Sequence, residues 1–423
     1  MKSFKRIVLP NGLRIILAPQ PGNLAATVLV KVEAGSKYET KKISGVSHFL
    51  EHLCFKGTKK RPTALAITSE LESLGASYNA FTGQEITGYY AQVQSGKLDV
   101  VLDVISDMYL NPIFDSKEIE KEKGVIIEEL NMYEDMPMRK VGDVFMELLY
   151  GNQPAGWDIG GKKEIIRVLN RDDIVKYRSK HYVAQATTVV VAGSFDEKKV
   201  LDAIGKMFAK MPVTKKYPKE KTLDIQKNPA VALKFKESDQ AHIILGFRAF
   251  DMYDKRRYAL SVLGDILGGG MSSRLFQRVR DQLGAAYYVR AEDDLFTDHG
   301  LFSVSAGLDN ARAPEVIEAI LDELKKISSK AGSAEELKRS KNHLTGEMIL
   351  GLETSVALAN FYGGQEIYHK EIKTPQEIIE EIRKVTAGEI LAVAKDIVKN
   401  QHLNLAIIGP FKDKKPFEKI LKI

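Results

Sequence analysis

Leu74-Gly75-Ala76-Ser77-Tyr78 returns later in the chain as Leu283-Gly284-Ala285-Ala286-Tyr287, and Val191-Ala192-Gly193-Ser194-Phe195 returns as Ile407-Ile408-Gly409-Pro410-Phe411. The offsets, about 209 and 216 residues, agree to within a loop insertion. That is the mark of a half-chain repeat, and it constrains the fold more than any other feature: whatever the first half builds, the second builds again. A chain of 423 residues is also too long for one ordinary core, so two domains are expected on size alone.

Apolar periodicity gives the repeated unit its contents. In the first half, alternating segments at Ala25 to Val32 and Ile86 to Val93 read as strands, with a buried strand at Thr188 to Ala192. Helical patterns lie at Ser44 to Phe55, Ala64 to Leu74, Lys97 to Leu110 and Ser116 to Tyr133. The second half follows suit: strands at Ala241 to Phe247 and Leu301 to Ala306, helices at Arg257 to Leu267, Ser273 to Leu283 and Pro314 to Ile327. The expected fold class is therefore α+β, with two similar halves, each an antiparallel-rich sheet carrying helices on one face. Residues 1–210 form the first domain and 230–423 the second. The proline- and lysine-rich stretch 211–229 connects them as a solvated linker.

Only the first half carries a cluster of metal-ligand residues, His48-Phe49-Leu50-Glu51-His52. With Ser44 as N-cap and Gly57 as the stop, a helix projects His48 and His52 within about 40° of each other, with Glu51 on the same side. Val46, Phe49, Leu50 and Leu53 fall on the opposite, apolar side. The matching position in the second half, near Leu260 to Gly270, has no such pair and ends in Gly268-Gly269-Gly270. No Gly-Lys-Ser/Thr follows, so that run is not a phosphate loop. It reads either as a helix terminator or as a mobile segment beside a cleft.

Two histidines do not complete a catalytic zinc site; a third protein ligand is needed. On the helix Ser116 to Tyr133 the residues Ile119, Ile126, Leu130 and Tyr133 form an apolar stripe. Glu122 and Glu129, seven apart, lie together along its edge, whereas Glu128 projects away toward solvent. The geometry favours Glu129 as the ligand. Cys54, the single cysteine, points away from the two histidines and reads as packing.

The words around these residues carry a resemblance. Glu51-His52-Leu53-Cys54-Phe55-Lys56-Gly57-Thr58, Ala76-Ser77-Tyr78-Asn79-Ala80-Phe81-Thr82 and Glu122-Lys123-Gly124-Val125-Ile126-Ile127-Glu128-Glu129 resemble the pitrilysin, insulinase and mitochondrial-processing-peptidase family of inverzincin (HxxEH) zinc metallopeptidases, in its single-unit form. The resemblance extends over essentially the whole chain. It implies one Zn2+ per chain on His48, His52 and Glu129, with Glu51 as general base and Glu122 supporting the site. Arg280 and Tyr287 resemble the family's pair that reaches the substrate from the second half. Asn79, Ala80 and Phe81 resemble its edge strand, on which a peptide adds by main-chain hydrogen bonds.

The function implied is a zinc-dependent endopeptidase acting on short or unfolded peptides inside a closed chamber. At this length the chain is half of such a chamber, so a homodimer is expected, with a heterodimer of related chains as the variant arrangement. A non-catalytic peptide-binding or partner subunit of the same fold, and a presequence-processing peptidase, are the alternatives. A net charge of +6 without a long basic block gives no indication of nucleic acid. No apolar run is long enough to span a membrane. Charges and an Asn11-Gly12 turn near the start argue for a hairpin there, against a signal peptide. A single cysteine fits a reducing cytoplasm.

Overall fold

A computed structural model describes residues 4–368 and 371–423. Its strands are β1 (Lys5–Val8), β2 (Arg14–Pro19), β3 (Ala25–Val32), β4 (Ser77–Thr82), β5 (Thr87–Gln94), β6 (Thr187–Gly193), β7 (Ala230–Phe235), β8 (Gln240–Ala249), β9 (Ala286–Leu295), β10 (Gly300–Asp309) and β11 (Leu403–Gly409). They form two sheets, ordered β1-β2-β6-β3-β5-β4 and β7-β11-β8-β10-β9. With β1 set aside, the two orders are the same. Directions agree too: β2 runs parallel to β6 and β7 to β11, and every other pairing is antiparallel. The duplication legible in short sequence words is thus a duplication of sheet topology.

Each sheet buries a large core on the side of its own helices. In the first, Val28, Val30 and Val191 pack with Phe49, Leu50, Val101 and Ile105. In the second, Ile243, Leu245 and Ile407 pack with Leu260, Leu263, Val316 and Ile320. The opposite faces are covered as well, contrary to the expectation of helices on one face only. Helix Ser355–Tyr368 lays Leu358, Ala359 and Tyr362 on Ile16, Leu29 and Val190. Helix Pro137–Tyr150 lays Val141, Phe145 and Leu149 with Leu301, Ala406 and Ile408. Burial on both faces is why β6 and β11 are buried at every position instead of alternating.

The division at 210 and 230 is corrected accordingly. The compact units are 1–130 with 158–220 and 349–374, and 131–157 with 221–348 and 375–423. Each half of the sequence gives one helical segment to the other half's unit, because that segment's apolar stripe finds its sheet there. The lysine-rich connector is not simply solvated: Lys216 pairs with Glu33 at 2.5 Å and Lys219 with Glu85 at 2.7 Å. The expected helix Ser273 to Leu283 is instead a π-helix at Phe276–Gln282, with Leu283 N–H donating to Arg278 O. Over seven residues an apolar pattern does not separate i→i+4 from i→i+5 bonding. No helix among the described residues is long and apolar enough to cross a membrane.

Candidate metal centre

The motif helix is Val46–Leu53, shorter than the span expected from Ser44 to Phe55. Its N-cap is Gly45, not Ser44, at φ 93, a left-handed backbone that glycine adopts without steric cost. A side chain there has no room either, since a Cβ would lie 2.6 Å from Gly160 O and 2.8 Å from Ile166 Cδ1. The cap itself comes from a side chain a few residues upstream. Glu39, buried, accepts from Gly45 N at 2.7 Å and Ser47 N at 2.8 Å. Phe49, Leu50 and Leu53 are buried in the core, which turns His48, Glu51 and His52 toward the open side. Cys54 is fully buried among core residues, as the packing reading requires.

Helix Ser116–Glu134 delivers the carboxylates. Glu122 is buried, Glu129 half-buried and Glu128 exposed, the distribution expected from the apolar stripe. His48, His52 and Glu129 converge, with Nε2 of the two histidines 3.2 Å apart and Glu129 Oε2 3.6 Å from His48 Nε2 and 3.4 Å from His52 Nε2. Tetrahedral zinc, with bonds of about 2.0–2.1 Å, spaces neighbouring donors by about 3.3 Å. The three atoms therefore fit one face of such a tetrahedron, and the donor types, two imidazoles and a carboxylate, suit zinc.

The residues behind the donors fix their orientation. Glu122 Oε1 lies 2.9 Å from His52 Nδ1, which leaves Nε2 for the metal, and Glu122 Oε2 is held by Lys56 at 2.6 Å. Burial pushes the Glu122 carboxyl upward, but its bonds to His52 and Lys56 outweigh this and hold it below the usual carboxylate range. Burial pulls His52 downward, and the Glu122 and Glu129 carboxylates override it, raising the imidazole to about 9. This is a site arranged to hold positive charge.

Glu51 stands beside the triad rather than in it. Thr82, at the end of β4, donates a 2.5 Å hydrogen bond to Glu51 Oε2. Burial raises the Glu51 carboxyl and the Glu129 charge adds to this, against the opposing effects of Thr82 and His52. Glu51, His52, Lys56, Tyr78, Asn79 and Glu122 line one cavity of about 290 Å3. Asn79, Ala80 and Phe81 sit on β4, the outermost strand of its sheet. The Asn79 side chain accepts from the Ala80 N–H at 2.8 Å.

Arg280 and Tyr287 belong to the second unit, on the π-helix and on β9, both exposed, with the guanidinium 5.6 Å from the Tyr287 ring centroid. The glycine run of that unit resolves into a terminator that also packs. The helix Arg257–Gly268 is C-capped by Gly269, and a Cβ at Gly268 would meet Ala291 N at 2.2 Å. Sequence spacing did not single out Thr82, Lys56, Glu39 or Gly45. Thr82 and Lys56 lie inside the matching words, and nothing local marks the other two.

Two imidazoles and one carboxylate, grouped without a fourth protein donor among the described residues, form a donor set that could hold a single metal ion and leave one position for another ligand. Residues 14–162 match the family described as Insulinase (Peptidase family M16), and residues 169–344 match the Peptidase M16 inactive domain. An uncharacterized zinc protease of Streptomyces coelicolor is 36% identical over 418 residues, 97% of this chain and 91% of that protein. Another, of Bacillus subtilis, is 34% identical over 410 residues, 96% of this chain and 98% of that protein. The crystal structure of a protease from Helicobacter pylori superimposes with a TM-score of 0.88 at 23% identity, covering 96% of this chain and 99% of that one, a likeness of fold. The chain belongs to the insulinase family of peptidases, M16.

Proposed function

We propose that the protein is a zinc-dependent endopeptidase that hydrolyses short or unfolded peptides, working in the cytoplasm as a homodimer whose two chains close a chamber around the substrate. The observation that carries the reading is the spacing of His48, His52 and Glu129 as one face of a zinc tetrahedron, with the Glu51 carboxylate in the cavity beside it. Bound zinc would supply Lewis acidity toward a peptide carbonyl and toward water.

The remaining work falls to the chain's own groups. Glu51 takes the proton from the attacking water at Oε1, the oxygen opposite the Thr82 bond, and returns it to the leaving amine nitrogen. Burial raises its pKa, which makes it a stronger base toward that water than an exposed carboxylate would be. Glu122, 2.9 Å from His52 Nδ1, would leave the His52 Nε2 lone pair available to a bound metal. The open edge of β4 receives the substrate backbone at Asn79, Ala80 and Phe81, and an incoming strand would compete with the Asn79 side chain for the Ala80 N–H. Arg280 and Tyr287 are assigned to the substrate on the strength of the sequence resemblance alone.

The test is digestion of a mixed peptide library, read by mass spectrometry, with wild type, chelator-treated wild type and Glu51→Gln. Internal cleavages made only by the untreated wild type support the reading. Absence of cleavage in the wild type loaded with zinc favours a peptide-binding or partner subunit.

A further inference from the structure

The second unit contains a constellation of the same design as the first metal centre, built from other residues. Helix Arg257–Gly268 follows β8 as Val46–Leu53 follows β3. Helix Ala334–Gly351 comes second after β10, just as Ser116–Glu134 comes second after β5. In the first unit these two helices supply the chain Glu122, His52, Glu129, with contacts of 2.9 and 3.4 Å at the two ring nitrogens. In the second they supply Asp265, His343, Glu347: Asp265 Oδ1 lies 2.6 Å from His343 Nδ1, and His343 Nε2 lies 3.4 Å from Glu347 Oε1. The order carboxylate, imidazole, carboxylate is preserved, with the histidine and the first carboxylate exchanged between the two helices.

The surroundings point to a ligand. Asp265, His343, Gly270 and Ser273 line a cavity of about 360 Å3. Ser273 is 3% exposed, and its hydroxyl has no hydrogen-bond partner among the described residues. A Cβ on Gly270 would lie 3.6 Å from His343 Nε2, so the glycine leaves room beside that nitrogen. The other charged groups of the cavity are engaged elsewhere: Glu336 binds Arg274 at 2.7 and 3.0 Å, and Arg339 donates to Ser272 O at 3.3 Å.

We propose that His343 Nε2 and Glu347 form a second divalent-cation site, with Asp265 holding the Nδ1 proton of His343 and the Ser273 hydroxyl bonding a water of the cation. An imidazole donor selects zinc, cobalt or nickel over magnesium and calcium. With two protein donors instead of three, the site binds more weakly than the first. It does not depend on the peptidase reading.

The experiment is calorimetric titration of chelator-stripped protein with zinc chloride, using the full chain as wild type, His48→Gln, His343→Gln and Glu347→Gln. The expected result is two classes in the wild type. His343→Gln and Glu347→Gln each weaken the second class by at least about tenfold and leave the first, while His48→Gln removes the tight class and leaves the second. Both positions of the second site are partly or fully exposed, and circular dichroism of the variants verifies the fold. A single class in the wild type up to millimolar zinc, or a second class that survives both substitutions, overturns the proposal.

Discussion

The Thr82 hydroxyl donates to the Glu51 carboxylate at 2.5 Å, joining the end of an edge strand to the residue beside the metal-ligand pair. A hydrogen bond to a charged group contributes about 1.5–3 kcal/mol. Thr82→Val keeps the shape and removes the donor, so kcat on a quenched peptide should fall about tenfold or more, while zinc affinity stays the same. Unchanged kcat would show that the base is held by its own packing.

Glu122 acts through His52. Glu122→Gln should raise the zinc dissociation constant about 10–100-fold, measured by competition with a chromogenic chelator. Retained affinity would mean that His52 needs no carboxylate to direct Nε2 at the metal.

Gly45 ties the metal helix to the loop at Gly160. Gly45→Ala forces a side chain into a left-handed conformation and against a carbonyl oxygen 2.6 Å away. The loss should be at least about 2 kcal/mol in urea unfolding, with weaker zinc binding because the helix start shifts. A variant as stable as wild type would show that the loop gives way freely.

His181 sets an acid limit on stability. It is buried, with its ring 4.5 Å from that of Tyr177. Burial, with Lys180 adding, holds its pKa down to about 4. The unfolded chain takes up this proton near about pH 6.5 and the folded chain only near 4. The stabilisation is therefore complete above the unfolded value and is lost as pH falls through this window, by roughly 3 kcal/mol at most. Thermal unfolding of wild type should drop more between pH 7 and 5 than that of His181→Phe. Parallel curves would contradict the assignment.

Much of this was legible in the sequence because it is local. The strand Ala25–Val32 and the helix from Ser116 onward follow from periodicity, and the stripe Ile119, Ile126, Leu130 was enough to turn Glu129 inward and Glu128 out. What escaped is long-range. The stripe of Val141, Phe145 and Leu149 predicts an amphipathic helix but not which sheet it covers, so the exchange of helices between halves has no sequence signature. In the same way, Thr82 reaches Glu51 only because β4 lies beside the metal helix.

The most direct test of the central claim is zinc content and peptide hydrolysis measured on the same preparation of Glu51→Gln, after dialysis that leaves only tightly held metal. The expected result is one zinc per chain, as in wild type, and hydrolysis reduced by about a thousandfold. Hydrolysis at the wild-type rate with zinc bound would contradict it.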